Sequence, residues 1–423
     1  MRIKIIGGTL ANPAGEKKGR QDILIEDGVI KAVGENVGDA DRVIDAAGKT
    51  VFPGFIDLHC HLREPGQEYK EDIASGTKAA AKGGYTAVCC MPNTTPPVDN
   101  ASVCALVLEK ARRASVKVYP IGAATRGLAG KELTEMGELA EMGCVAFSDD
   151  GRPISDGGMM RAAMQYASSF GRFIMAHEED LGIKGTGVMN EGYNSTILGL
   201  PGISRAAEEA MIARDLILSE AEGLHVHIQH VSTSGGVRMI RDAKKRGVKV
   251  TCESAPHYFS ADDSACMDYD ARTKVNPPLR TPDDVAAVRE ALLDGTIDCI
   301  ATDHAPHHKD EKNIEFSLAA SGISGFETAF SLAVMNLSDD ADTLARLLSV
   351  NPARIIGVKG GVIEEGAPAD LTIADMGAAY TLREEDIISR GKNSPFIGQT
   401  LRGVVTHTIV DGKVAYEGVK TCR

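Results

Sequence analysis

The sequence predicts an α/β chain, a (β/α)8 barrel of the TIM type carrying a small β-sandwich module formed from both chain ends. Three observations predict it. From about Pro53 to Pro352, apolar β-branched runs alternate with alanine-rich helical segments, the pattern of a parallel sheet with crossover helices. Eight such runs occur, and eight strands close a barrel. The two ends of the chain read instead as short strands and tight turns, which suits one sheet module assembled from both termini.

Residues 1–52 hold the first part of that module. Arg2 to Ile6, Asp22 to Glu26, Val29 to Val33 and Arg42 to Asp45 read as strands, and Asp27-Gly28 between two apolar runs is a strong hairpin signal. Within residues 53–352 the eight runs are Gly54 to Leu58, Tyr85 to Cys90, Val116 to Ile121, Cys144 to Phe147, Phe173 to Ala176, Leu224 to Gln229, Val248 to Cys252 and Asp298 to Thr302. The helices between them carry start signals. Thr281-Pro282-Asp283-Asp284, for example, supplies a cap, a first-turn proline and acids facing a helix N-terminus. Gly182 to Gly202, rich in glycine and polar residues, reads as a long loop after strand five. Residues 353–423 return to strands at Asp370 to Ala374, Gly403 to Val410 and Lys413 to Tyr416, with a second hairpin signal at Asp411-Gly412.

Composition narrows the function. Of 423 residues, 43% are hydrophobic and 25% charged, enough to bury a large core without covalent staples. Forty-six basic against fifty-nine acidic residues give a net charge of -13, which argues against nucleic acid or an anionic membrane as partner. A small anionic substrate would need a local cationic pocket. Nine scattered cysteines, including Cys89 and Cys90, form no CxxC pair and fit free buried thiols in a reducing compartment. The N-terminal residues lack an apolar leader segment, and no apolar run reaches the roughly 18 residues of a membrane span, so a cytoplasmic location is expected.

Active sites of such barrels lie at the C-terminal ends of the strands. Strand one ends Asp57-Leu58-His59-Cys60-His61, and alternation along a strand points His59 and His61 the same way, able to grip one ion. Strand four ends Ser148-Asp149-Asp150, strand five at His177, strand six at His230 and strand eight at Asp303-His304. Four histidines and two carboxylates from five strand ends exceed one tetrahedral zinc. They suit two ions a few ångströms apart, joined by a bridging carboxylate and a bridging hydroxide. Imidazole and carboxylate donors favour zinc, with manganese or cobalt as substitutes. Asp149 and Asp150 cannot both face the centre of a regular strand, and alternation does not choose between them.

This ligand set resembles that of the amidohydrolase superfamily, matched at His59, His61, His177, His230 and Asp303. Within it, Asp57-Leu58-His59-Cys60-His61-Leu62-Arg63-Glu64-Pro65-Gly66 and Ala301-Thr302-Asp303-His304-Ala305-Pro306-His307 look like the two signatures of dihydroorotases. Many relatives place a carbamylated lysine at the end of strand four. Here Asp150 is available instead, as in bacterial class I dihydroorotases, which sets the chain apart from hydantoinases and allantoinases. The resemblance implies a metal-dependent cyclic amidase interconverting L-dihydroorotate and N-carbamoyl-L-aspartate in pyrimidine biosynthesis. It implies two zinc ions bridged by Asp150 and hydroxide, with Asp303 as general acid and base. His61 would contact the substrate, and Arg63, Asn93 and His307 would bind its carboxylate, the guanidinium of Arg63 supplying a planar fork for it. Asn276 and the backbone of Ser321 and Gly322 would hold the ring. A homodimer, and association with aspartate transcarbamoylase, are implied in the same way. The complete ligand set speaks against a catalytically silent scaffold. His308 and the run Lys309-Asp310-Glu311-Lys312 read either as a cover over the site or as a solvated loop, and His225, His227, His257 and His407 read as structural.

Overall fold

A computed structural model describes residues 1–418. Its centre is the expected barrel. Strand one is Phe55–Cys60, strand two Tyr85–Cys90, strand three Lys117–Pro120 continuing as Gly122–Ala123, strand four Phe147–Ser148, strand five Ile174–Ala176, strand six Val226–Ile228, strand seven Val250–Ser254 and strand eight Cys299–Ile300. Each is parallel to its neighbour. Strand three hands its pairing over in mid-course: the Ile121 N–H donates to the Cys90 carbonyl (3.0 Å), and the Gly122 N–H to that of Ala146 (3.1 Å). Closure comes from a parallel bridge between Cys60 and His304 and from the Asp57 carboxylate, which accepts from the Thr302 N–H and hydroxyl, each at 2.7 Å. Every residue of strands one and two is buried, as expected where helices cover one face of a parallel sheet and the barrel core fills the other.

The helix starting signal at Thr281 is realised. Its side chain accepts from the Asp284 N–H, Asp284 bonds back to the Thr281 backbone, and the helix runs Pro282–Asp294. Two expectations are refined. The segment from Gly182 to Gly202 is the expected long loop between strand five and the helix Ala206–Glu222, but it is ordered. It contains the helices Leu181–Lys184 and Tyr193–Leu198 and a parallel ladder between Met189–Asn190 and Gly202–Ile203. Its glycines act as punctuation: Gly199, at φ 65°, ends the second helix in the left-handed conformation. Met189 anchors the segment by packing with Cys266 and Phe316. Strands four and eight are also shorter than their apolar runs, at two residues each: strand four keeps only the outer end of its run and strand eight only the middle.

Both chain ends share one eight-stranded sheet. Thr50–Pro53 is the seam, pairing in parallel with Arg2–Leu10 on one side and antiparallel with Leu371–Thr381 on the other. Gly19–Glu26 and Val29–Gly34 extend the first side, Thr400–Val410 and Lys413–Glu417 the second, and Arg42–Asp45 pairs with Arg2–Leu10. The sheet wraps a core rich in isoleucine, with Ile3, Ile5, Ile23, Ile30, Ile363, Ile373 and Ile409 all fully buried. Each such side chain contributes about 1.5–3 kcal/mol by leaving water. Both Asp-Gly hairpins form with two successive left-handed residues, φ 51° and 82° at Asp27 and Gly28, 45° and 71° at Asp411 and Gly412. The turns abut, so that a Cβ on Gly412 would lie 2.9 Å from the Gly28 Cα.

The C-terminal segment also reaches back to the barrel mouth. Asn393 accepts from the His307 N–H (2.9 Å) and donates to the carbonyls of Ala305 (3.1 Å) and Gly322 (2.9 Å). The eight cysteines within the described residues are free and buried, whereas Cys422 lies outside them. No helix among the described residues is long and apolar enough to cross a membrane.

Candidate metal centre

The strand ends converge as their spacing predicts. His59 and His61 leave strand one on the same side, Asp150 follows strand four, His177 strand five, His230 strand six and Asp303 strand eight, all of them buried. Asp150 lies between the others. Its Oδ1 is 3.4 Å from His59 Nε2, 3.4 Å from His177 Nδ1 and 3.7 Å from His230 Nε2, and its Oδ2 is 3.5 Å from His61 Nε2. Two ligand triads therefore share one carboxylate: His59, His61 and Asp150, and Asp150, His177 and His230. Asp303 Oδ1 adds to the first, 3.2 Å from His61 Nε2 and 3.6 Å from His59 Nε2.

These side chains fit metal binding, although His177 Nδ1 and His230 Nε2 stand at a hydrogen-bond distance of 2.8 Å. Donors bound at 2.0–2.1 Å to a tetrahedral ion stand about 3.3–3.4 Å from one another. The separations around Asp150 fall close to that value and exceed most hydrogen bonds. His59 Nε2 and Asp150 Oδ1 are fully buried yet have no hydrogen-bond partner, a costly arrangement unless a cation lies between them. The electrostatics agree. Burial opposes charge on His177, yet Asp150 and Glu179 push it up to about 9, and Asp150 and Asp303 likewise raise His59. Against its own burial, Asp150 is held well below the usual carboxylate range by His59, His177 and His230. The cluster thus attracts positive charge to its centre.

The choice between the adjacent aspartates is made by the residues that follow strand three. Asp149 accepts from the Ala124 and Thr125 N–H groups, both at 2.9 Å, and from the Thr125 hydroxyl, which turns it outward and leaves Asp150 to face the axis. Burial pushes Asp149 up to about 6 despite those bonds. Arg63, His230 and Asp303 adopt left-handed backbone at φ 61°, 32° and 45°, the kind of local strain that accumulates at functional sites.

The residues expected around a substrate fall in two groups. Arg63, His307, Ser321 and Gly322 form one wall. Arg63 Nε donates to the Pro306 carbonyl (3.2 Å), its Nη2 lies 3.2 Å from His307 Nε2, and that nitrogen is 2.9 Å from the Ser321 carbonyl. Gly322 has φ 149°, and a Cβ there would meet the Ala305 carbonyl oxygen at 2.6 Å. Asn93 and Asn276 instead touch the ligand histidines. Asn93 Oδ1 is 2.9 Å from His61 Nδ1, and Asn276 Nδ2 is 3.5 Å from His177 Nε2, with its Oδ1 buried and unpartnered.

Lys309–Lys312 is a short helix tied down by Glu311, which pairs with Lys70 (2.9 Å) and accepts from the Tyr69 hydroxyl (3.2 Å). It is therefore not a free solvated loop. Lys312 is buried against the Lys274 and Ala320 carbonyls, and burial pushes it down to about 7. Arg63, Lys70 and Lys312 all lie near enough to His307 to oppose charge on it, on a chain whose net charge is -13.

The sequence reading missed Glu253 and Asn393. Glu253 is the penultimate residue of strand seven, 2.8 Å from His59 Nδ1 and 3.1 Å from His227 Nε2, and these two histidines hold it down to about 2 despite its burial. A glutamate inside a barrel strand was the available signal, obscured by ending that strand at Cys252. His227, read as merely structural, is joined to the metal ligands through it.

Comparison with known proteins agrees with this geometry. The amidohydrolase family model matches residues 50–415. The chain is 51% identical to the dihydroorotase of Geobacter metallireducens across 99% of its own length and 100% of that protein. It is 51% identical to the dihydroorotase of Acetivibrio thermocellus, across 97% and 98%. Among solved structures it is similar to an L-hydantoinase (dihydropyrimidinase) from Arthrobacter aurescens, with TM-score 0.86, 26% identity and coverage of 100% and 97%. It also shares its fold with a dihydropyrimidinase from Brevibacillus agri NCHU1002, with TM-score 0.84, 23% identity and coverage of 98% and 95%. A family match over most of the chain, with dihydroorotases half identical to it along nearly their whole length, settles the assignment: the chain belongs to the amidohydrolase family, among its dihydroorotases.

Proposed function

We propose that the protein reversibly hydrolyses the ring amide of L-dihydroorotate to N-carbamoyl-L-aspartate, the dihydroorotase step of pyrimidine synthesis. The observation that carries this reading is a buried guanidinium, Arg63, standing beside two ligand triads that share Asp150. A cyclic amide that also bears a carboxylate needs both.

Two zinc ions held by His59, His61, Asp150, His177, His230 and Asp303 would act as Lewis acids and bring the pKa of water to about 7. The remaining chemistry belongs to side chains. Arg63 and His307 grip the substrate carboxylate and set the ring over the ligand cluster. Asn276 Oδ1, buried without a partner, is an acceptor for a ring N–H. Asp303 is kept ionised by His59 and His61 against its burial, so it can accept a proton. It takes the proton of the attacking water as the C–O bond forms, and returns it to the ring nitrogen as the C–N bond breaks. Ring closure is the reverse path.

Residues 53–352 act in this reading as the catalytic barrel, with 1–52 and 353–423 as its supporting module. The same reading includes a cytoplasmic homodimer able to associate with aspartate transcarbamoylase, checked by light scattering and co-purification.

The test is loss of ring absorbance from L-dihydroorotate by the zinc-loaded protein, with allantoin and hydantoin as controls. Turnover of dihydroorotate alone is expected. Arg63→Ala should lower kcat/KM about 30- to 150-fold, the loss of about 2–3 kcal/mol of charge-assisted hydrogen bonding. Equal turnover of hydantoin, or an unaffected variant, would overturn the assignment of substrate.

A further inference from the structure

The four ligand histidines differ in what holds their outer ring nitrogens. His61 Nδ1 meets a neutral amide, Asn93 Oδ1, at 2.9 Å. His177 Nε2 has the amide of Asn276 at 3.5 Å and the Glu179 carboxylate only at 3.7 Å. Of these histidines, among the described residues, only His59 has a carboxylate within hydrogen-bond distance of its outer ring nitrogen: Glu253 Oε1 lies 2.8 Å from its Nδ1. Glu253 is 1% exposed, and its other oxygen is fixed by His227 Nε2 at 3.1 Å. The Thr251 hydroxyl, 2.8 Å from both His227 Nδ1 and His225 Nε2, anchors His227 in turn. A chain of side chains, buried from His227 onward, thus runs from strands six and seven to one candidate metal ligand.

We propose that Glu253, braced by His227, is a positioning residue for the metal centre: it holds His59 with Nδ1 as donor and Nε2 aimed at the cluster, and so sets the affinity of the ion bound through His59 and His61. A carboxylate accepts and cannot donate, so the hydrogen at 2.8 Å belongs to His59 Nδ1, and the lone pair of the ring is left on Nε2. That nitrogen is the one buried without a hydrogen-bond partner and 3.4 Å from Asp150 Oδ1. A carboxylate behind a ligand imidazole also makes it a stronger donor. The inference rests on the metal-centre reading given above.

The test measures Zn2+ dissociation constants by chelator competition, and the visible absorption of the Co2+-loaded protein, for the wild type, Glu253→Gln and His227→Gln. Glu253→Gln is expected to weaken one of the two ions about 10- to 100-fold and to shift the Co2+ bands, leaving the other ion and the melting temperature of the metal-free chain nearly unchanged. His227→Gln keeps the carboxylate but removes its brace, and should weaken the same ion about three- to tenfold. It keeps the inference testable if Glu253→Gln does not fold. Dissociation constants and Co2+ bands matching wild type in the variants would overturn the inference, as would a loss of metal-free stability with metal affinity intact. A wild-type protein that binds neither Zn2+ nor Co2+ would instead overturn the metal-centre reading beneath it.

Discussion

At the scale of single residues, the proposed mechanism gives His177 and Asp303 different tasks, metal binding and proton transfer, that substitution can separate. His177 faces Asp150 at 3.4 Å within the second triad, so His177→Ala should lose one ion per chain and nearly all turnover, as read by metal analysis. Asp303→Asn keeps an oxygen near His61 but removes the group that carries the proton. It should retain most of the metal while kcat falls at least about 100-fold, the usual scale of a lost general acid and base. Most of this site was legible in the sequence, because a strand end fixes both the place and the direction of a side chain: His59, His61, His177, His230 and Asp303 all follow apolar runs. Asp150 was legible only by resemblance. What excludes Asp149 is a pair of N–H groups at Ala124 and Thr125, just past the end of strand three, and no local pattern encodes them. Glu253 was hidden for a similar reason, since its partners His59 and His227 lie on other strands.

At the scale of elements, the hairpins were the clearest signals, because Asp-Gly between apolar runs has few conformations open to it. Their mutual contact was not legible, as it joins residues from opposite ends of the chain. It makes a stability prediction. Gly412 sits at φ 71° with Gly28 Cα 2.9 Å from any added Cβ, so Gly412→Ala should cost about 1–3 kcal/mol in denaturant unfolding. Gly247→Ala, at φ 85° but with nothing near its Cβ, should cost only the backbone share, about 1 kcal/mol. Equal losses would show that the turns do not press on each other. The short helices and ladder inside the loop 182–202 were not legible, because glycine and polar content signals a lack of regular pattern. Here the order comes from tertiary contact, with Met189 packed against Cys266 and Phe316.

At the scale of the whole molecule, barrel and sheet are joined across Glu327. It lies on the helix Phe326–Asn336, accepts from the Ile388 N–H at 2.5 Å, and is pushed up to about 7 by burial, with Glu71 adding to the rise and Lys82 opposing it. A carboxyl whose folded-state pKa is raised from 4.5 to about 7 binds its proton more tightly in the native chain. Its stabilisation is complete below pH 4.5 and is lost as pH rises through about 7. Glu327→Gln cannot lose a proton, so its stability relative to wild type should rise across that window, by up to about 3 kcal/mol. Unfolding free energies of both proteins at pH 4.5 and 7.5 check the sign, and a flat difference would show that Glu327 stays ionised.

The shared sheet also has a meaning for how the chain is made. Thr50–Pro53 is among the first strands to leave the ribosome, yet its antiparallel partner Leu371–Thr381 emerges only after every barrel strand. Asn393, which fastens the loops of His307 and Gly322, comes later still. A nascent chain can therefore gather its metal ligands well before it can settle the wall that faces the substrate. In the proposed reading, a chain released before Asn393 would hold ions without a settled substrate wall.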